Sequence, residues 1–206
     1  MNTTDLINIT GTAAFAFSGY LVGYEKRLDI MGVVITALLT AVGGGMMRDA
    51  LVSRTPQVFL HTDALAVVFV TLAVSWLLRL ERNKKSALYS AFITADAIGL
   101  AAFSITGAQV GLALDLNLFG VSTLAFITAV GGGIARDILV NKIPMILKTD
   151  LYGSIAIAIG ALLYGFDRIG WVNPATLNLL FFGGCIVRLA AYRLHWQLPG
   201  FQKHKR

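Results

Sequence analysis

Four charged residues lie where charge is costly. Arg48-Asp49 and Arg136-Asp137 each closely follow three consecutive glycines, Gly43, Gly44, Gly45 and Gly131, Gly132, Gly133, inside long apolar stretches. An Arg or Asp at the centre of a membrane helix costs about 2.5–3.5 kcal/mol. Each helical glycine costs about 1 kcal/mol relative to alanine. Bearing both costs twice argues for use rather than filling. Carbonyls freed at an unwound turn can coordinate a dehydrated cation, and half-helix N-termini attract anions. The four charges then form an electrostatic lock or a gate. Adjacent helical residues do not face each other, so the spacing favours cross pairs: Arg48 with Asp137, or Asp49 with Arg136. Close packing is the plainer use of glycine, and it suits Gly19, Gly23, Gly107 and Gly111. Three glycines in a row exceed what packing needs and point to a kink or local unwinding.

The two sites are copies. Gly43 recurs as Gly131, Arg48 as Arg136 and Pro56 as Pro144, 88 residues on in each case. The match continues at Ser18 and Thr106, and Thr62-Asp63 returns as Thr149-Asp150 with a one-residue slip. Asp96, a further carboxylate within an apolar run, has Asn8 as its counterpart. It either raises the local cation concentration or accepts buried hydrogen bonds. Ser18, Thr36, Thr40, Thr106, Thr123 and Thr128 either line a polar path or bond back to their own helices. Arg188 is placed to snorkel from a helix end, or to meet an anionic lipid or a pore.

The elements that must hold these groups are membrane helices. The 206 residues are 56% hydrophobic and only 14% charged, with a mean hydropathy of +0.72. Seven apolar runs are long enough to span or nearly span a bilayer: about 6–24, 30–53, 63–80, 88–112, 117–140, 150–166 and 171–192. The chain reads as one transmembrane domain over 1–206, with repeats at about 6–80 and 88–166 and an extra helix at about 171–192. Three spans per repeat is an odd number, so the second copy enters upside down. Lys26, Arg27, Arg79, Arg82, Lys84, Lys85, Lys142, Lys148, Arg193, Lys203, Lys205 and Arg206 then share one side. The positive-inside bias makes that side cytoplasmic, with the N-terminus outside, in a bacterial-type inner membrane. The start lacks Lys and Arg and does not resemble a secretory signal, so the first run is expected to be retained.

Other classes are disfavoured. The net charge of +6 is spent on loops, so nucleic acid is not an expected partner. One cysteine, Cys185, and three scattered histidines, His61, His195 and His204, provide neither a disulfide nor a structural metal site. Arg48 and Arg136 stand where a dinucleotide fingerprint needs its last glycine. No nucleophile–base–orienter set is visible, so neither an enzyme nor a cofactor is expected.

The doubled Ala-Val-Gly-Gly-Gly-x-x-Arg-Asp motif, at Ala41–Asp49 and Ala129–Asp137, resembles the bacterial homologues of trimeric intracellular cation (TRIC) channels. The same bacterial family has also been labelled a glycine transporter family. The resemblance implies an all-α protomer of seven transmembrane helices, an inverted three-plus-three repeat with one helix added. It implies a homotrimer with one pore per subunit, conducting K⁺ and also Na⁺. It further implies that helices 2 and 5 are broken at Gly43–Gly45 and Gly131–Gly133. Animal members bind a phosphoinositide through basic residues on the fourth helix. The fourth span here has none, which leaves membrane lipids and a generic bound phospholipid as partners. A passive cation channel is the leading expectation, and a secondary transporter of a small solute such as glycine is the alternative. A structural membrane scaffold would need no broken helices.

Overall fold

The computed structural model describes residues 2–78, 85–147, 151–194 and 196. Thr149-Asp150, His195, His204 and the loop cations Arg79, Arg82, Lys84, Lys148, Lys203, Lys205 and Arg206 lie outside the described residues. The helices are α1 (Thr3–Glu25), α2 (Ile30–Leu51), α3 (Gln57–Leu60), α4 (Asp63–Leu77), α5 (Lys85–Ala113), α6 (Leu118–Leu139), α7 (Gly153–Arg168) and α8 (Pro174–Arg193), with a 3-10 turn at Met145–Leu147. No strand occurs among the described residues. α1, α2, α5, α6 and α8 are long and apolar enough to cross a membrane. α4 has 15 residues and α7 has 16, roughly 22–24 Å at 1.5 Å per residue.

Local chemistry sets the helix starts. Asp29 accepts a hydrogen bond from the Gly32 amide at 2.7 Å, and Asn117 accepts from Gly120 at 2.9 Å, so α2 and α6 begin with the same kind of N-cap. Asn173 caps α8 ahead of Pro174, the position where a missing N–H is harmless. The turns after the helices also correspond. Arg27 and Asp115 have φ of 54° and 52°, and Ser53 and Asn141 have 54° and 53°.

These matching elements are assembled about a pseudo-two-fold. α1 packs on α2 and α4 as α5 packs on α6 and α7, while α1 meets α5 and α2 meets α6. α8 stands outside this scheme and packs mainly on α5. Glycines set the close approaches within each half. A Cβ on Gly19 would lie 2.6 Å from the Ala37 Cα and 2.8 Å from the Thr40 hydroxyl. One on Gly107 would lie 2.5 Å from the Thr128 hydroxyl. The outer surface carries Ile30, Phe119, Trp76 and Leu77 in the open. An apolar exterior on this scale fits a protein solvated by lipid.

Candidate functional site

The two glycine triplets meet where α2 crosses α6. A Cβ on Gly44 would overlap the Thr128 carbonyl, and one on Gly132 would overlap the Thr40 carbonyl. As the chain advances from Thr40 to Gly44, its partner recedes from Gly132 to Thr128, so the helices run antiparallel. Gly43 and Gly131 complete the crossing: their Cβ positions lie 3.4 Å from the Gly132 Cα and 3.2 Å from the Gly44 Cα. The third glycines do something else. Beside Gly45 the nearest group is Arg48 Nη2 at 3.8 Å, and beside Gly133 Arg136 Nη2 and the Tyr152 hydroxyl both lie at 3.8 Å.

The expected break at these triplets needs correction. α2 and α6 run as continuous α-helix through all six glycines. Packing takes up two glycines of each triplet, because two backbones in direct contact leave no room for side chains.

The expected cross pairing also fails. Arg48 Nε donates to Asp49 Oδ1 at 2.9 Å, and Arg136 Nε donates to Asp137 Oδ1 at 2.9 Å. Each pair therefore forms within its dipeptide. The long Arg side chain curls back onto a carboxylate that is itself anchored. Asp49 Oδ2 accepts from the Gln57 amide at 3.1 Å, and Asp137 Oδ2 accepts from Met145 at 3.0 Å. Both carboxylates thus hold the turn that follows their helix, an interaction the sequence pattern did not reveal. Antiparallel crossing explains the failure. Each Arg lies four residues beyond its crossing glycine, in opposite directions, so the two sites are separated by roughly 12 Å along the axis.

The copies are not equivalent. Arg136 is 0% exposed, and its Nη1 donates to Ser18 on α1 at 2.8 Å. It lies 4.0 Å from Asp96 on α5 and 5.2 Å from the centre of the Phe92 ring. Arg188 of α8 is buried as well, not snorkelling, with its guanidinium 4.6 Å from the centre of the Tyr152 ring. Sequence reading missed Phe92 and Tyr152. Phe92 lies one turn before Asp96, a spacing that could have signalled it, whereas nothing local marks Tyr152. On the surface, Lys142 pairs with Glu25 at 2.7 Å.

Most candidate hydroxyls bond back to their own helices. Thr36 donates to the Gly32 and Val33 carbonyls, Thr40 to Thr36, Thr106 to Ala102 and Thr128 to Leu124. Thr123 is half-buried on α6. Ser18 differs, because it accepts from Arg136. A crevice lined by Val130, Gly133, Arg136, Asp137, Met145 and Tyr152 is too narrow to admit a water molecule. Among the described residues, no group of three or more His, Cys, Asp or Glu could hold a metal ion.

A family model described as "Glycine transporter" matches residues 5–79 and again residues 93–168. The UPF0126 membrane protein YvgT of Bacillus subtilis is 36% identical over 201 residues, covering 95% of each chain. A solved chain from work on the structural basis for conductance through TRIC cation channels is similar with a TM-score of 0.83 and 31% identity, over 98% of both chains. The TRIC trimeric intracellular cation channel orthologue from Rhodobacter sphaeroides gives 0.84 at 29% identity, over 94% of this chain and 98% of that one.

Proposed function

Because the chain belongs to the bacterial branch of the TRIC family, whose sequence model is described as "Glycine transporter", we propose that it is a passive channel for monovalent cations. K⁺ and Na⁺ are the permeating ions, and each subunit of a homotrimer holds one pore. The observation that carries this reading is the likeness to cation-channel structures over nearly the whole chain. The site chemistry agrees with it. Gly45 and Gly133 leave bare backbone beside Arg48 and Arg136, so a route there would be lined by carbonyls, hydroxyls and neutralised charge. Such weak, multiple ligands let an ion leave as well as enter.

In this reading, α1, α2 and α4–α8 are the seven spans, and the repeats of about 6–80 and 88–166 sit inverted in the inner membrane. The N-terminus is outside and the C-terminus cytoplasmic, with lipid around the trimer. The narrow crevice beside Arg136 is the resting state. Opening moves the Arg48-Asp49 and Arg136-Asp137 pairs, which act as gates, beside Gly45 and Gly133, the glycines of each triplet that the helix crossing leaves free; Gly43, Gly44, Gly131 and Gly132 hold the crossing. Ser18, Thr36, Thr40, Asp96, Thr106, Thr123 and Thr128 supply polar lining. No cofactor takes part.

The second reading, a carrier for a small solute such as glycine, is favoured by the description of the family model. Purified protein in planar bilayers separates the two. Discrete unitary K⁺ currents are expected. Saturable glycine uptake into liposomes without such currents would replace the channel by a carrier.

A further inference from the structure

Tyr152 stands at the start of α7 and is buried. The next residue pins the backbone there, because a Cβ on Gly153 would lie 2.5 Å from the Phe126 ring of α6. The Tyr152 side chain meets three other elements. Its hydroxyl lies 3.8 Å from the Cβ position of Gly133 on α6 and donates to the Asp96 carboxylate on α5. Its ring carries the buried Arg188 guanidinium of α8, 4.6 Å from the ring centre. It also walls the narrow crevice that holds Arg136 and Asp137. The first repeat is built differently. The Thr62-Asp63 match places Leu65 opposite Tyr152, and among the described residues only Arg48 comes within 4 Å of a Cβ on Gly45. Gly45 is half-buried where Gly133 is buried. The same motif is thus covered at its second copy only, and the cover comes from residues outside the motif.

We propose that Tyr152 is the latch of the Arg136-Asp137 gate and that Arg188 on α8 is the positioning residue that holds the latch shut. The proposal rests on the channel reading and names the copy of the motif at which the route closes. A guanidinium on an aromatic face attracts more strongly when both are withdrawn from water. A hydrogen bond to a carboxylate is stronger than one between neutral groups. α8 therefore grips the ring while α5 grips the hydroxyl, and Tyr152 leaves Gly133 only when both contacts yield. Because Gly153 is pinned against Phe126, the opening motion is a rotation of the side chain. Lysine cannot replace Arg188 in this task, since its ammonium lacks the flat face that stacks on a ring. The helix added to the two repeats thereby makes one of two matching sites the gate.

Unitary K⁺ currents of the purified protein in planar bilayers test the latch. Tyr152→Ala is expected to raise the open probability about tenfold, the effect of losing a desolvated cation–π contact. Arg188→Lys should raise it as well, and the double variant should match Tyr152→Ala alone, because the two side chains share one contact. Tyr152→Phe keeps the ring under Arg188 and should rise less. Leu65→Ala, the match in the first repeat, should change nothing. A merely structural Arg188 would lower Tm and give additive effects in the double variant. Access to Gly133 is a second readout that needs no current. A Cβ there meets nothing nearer than 3.8 Å, so Gly133→Cys fits. In a Cys185→Ser background this thiol should react with methanethiosulfonate ethylammonium about tenfold faster once Arg188→Lys is added. If Tyr152→Ala does not fold, this rate decides. An unchanged open probability in Tyr152→Ala or an unchanged labelling rate overturns the latch. With a conducting wild type either result removes the latch alone. Silent wild type removes the channel reading, and a labelling rate that still rises then keeps Tyr152 as the closure over Gly133.

Discussion

Gly44 on α2 lies against Gly132 on α6, its own counterpart. A Cβ on Gly44 would come within 3.3 Å of the Gly132 amide nitrogen. Counterparts touch only where a symmetry axis passes between them, so the pseudo-two-fold runs through this contact. Backbone lies against backbone there, and backbone cannot rotate aside as a side chain can.

Gly44→Ala and Gly132→Ala should each destabilise the protein by about 1–3 kcal/mol, the usual range for overpacking. Thermal melting in detergent measures this. Gly165 is the control: it lies within α7, and a Cβ there would meet nothing within 4 Å. Gly165→Ala should gain up to about 1 kcal/mol of helix propensity. A Gly44→Ala protein that melts at or above wild type would refute the tight crossing.

Removal of the two arginines should have unequal effects. Without Arg136, Asp96 and Asp137 are left buried together, and breaking a buried ion pair costs about 3–5 kcal/mol. Without Arg48, only Asp49 loses its partner, and it keeps the Gln57 amide. Arg136→Ala should therefore melt well below Arg48→Ala. Ser18→Ala, which removes one charge-assisted bond to Arg136, should cost about 1.5–3 kcal/mol. Equal losses for the two arginines would mean that Ser18 and Asp96 contribute nothing to holding Arg136.

The all-helical fold was legible because it depends on local composition, and the fixed 88-residue spacing singled out the two Gly-Gly-Gly-x-x-Arg-Asp segments that pack against each other where α2 crosses α6. The partners were not. The rule that adjacent helical residues point apart describes Cβ directions, and Arg48 escapes it with a side chain long enough to reach back to Asp49. The carboxylates' bonds to the Gln57 and Met145 amides arise from turns whose path no periodicity encodes. The burial of Arg188 depends on where α8 docks, a tertiary fact absent from its own helix. In α2 alone the glycines are points of weakness; against α6 they are contacts, because the Thr128 carbonyl fills the space.

Charge exchange tests the corrected pairing. Arg48→Asp combined with Asp137→Arg should not recover the stability lost in either single variant, because the two positions belong to sites separated by roughly 12 Å along the crossing. A double-mutant cycle on melting temperatures should give no favourable coupling between them, as expected for groups without shared partners. Coupling above about 1 kcal/mol would restore the cross-repeat lock.

Thr55 and Ile143 occupy the same position in the two repeats, and both are exposed in the turns that follow α2 and α6. The proposed inverted topology would put them on opposite faces of the membrane, with Thr55 outside by the bias of basic residues. The single native cysteine, Cys185, is buried, so Cys185→Ser gives a clean background for labelling. On it, Thr55→Cys should react with a membrane-impermeant maleimide in intact cells. Ile143→Cys should react only after the membrane is permeabilised. Labelling of both in intact cells would place the repeats the same way up and end the inverted topology, while labelling of Ile143→Cys alone would keep the inversion and reverse the orientation.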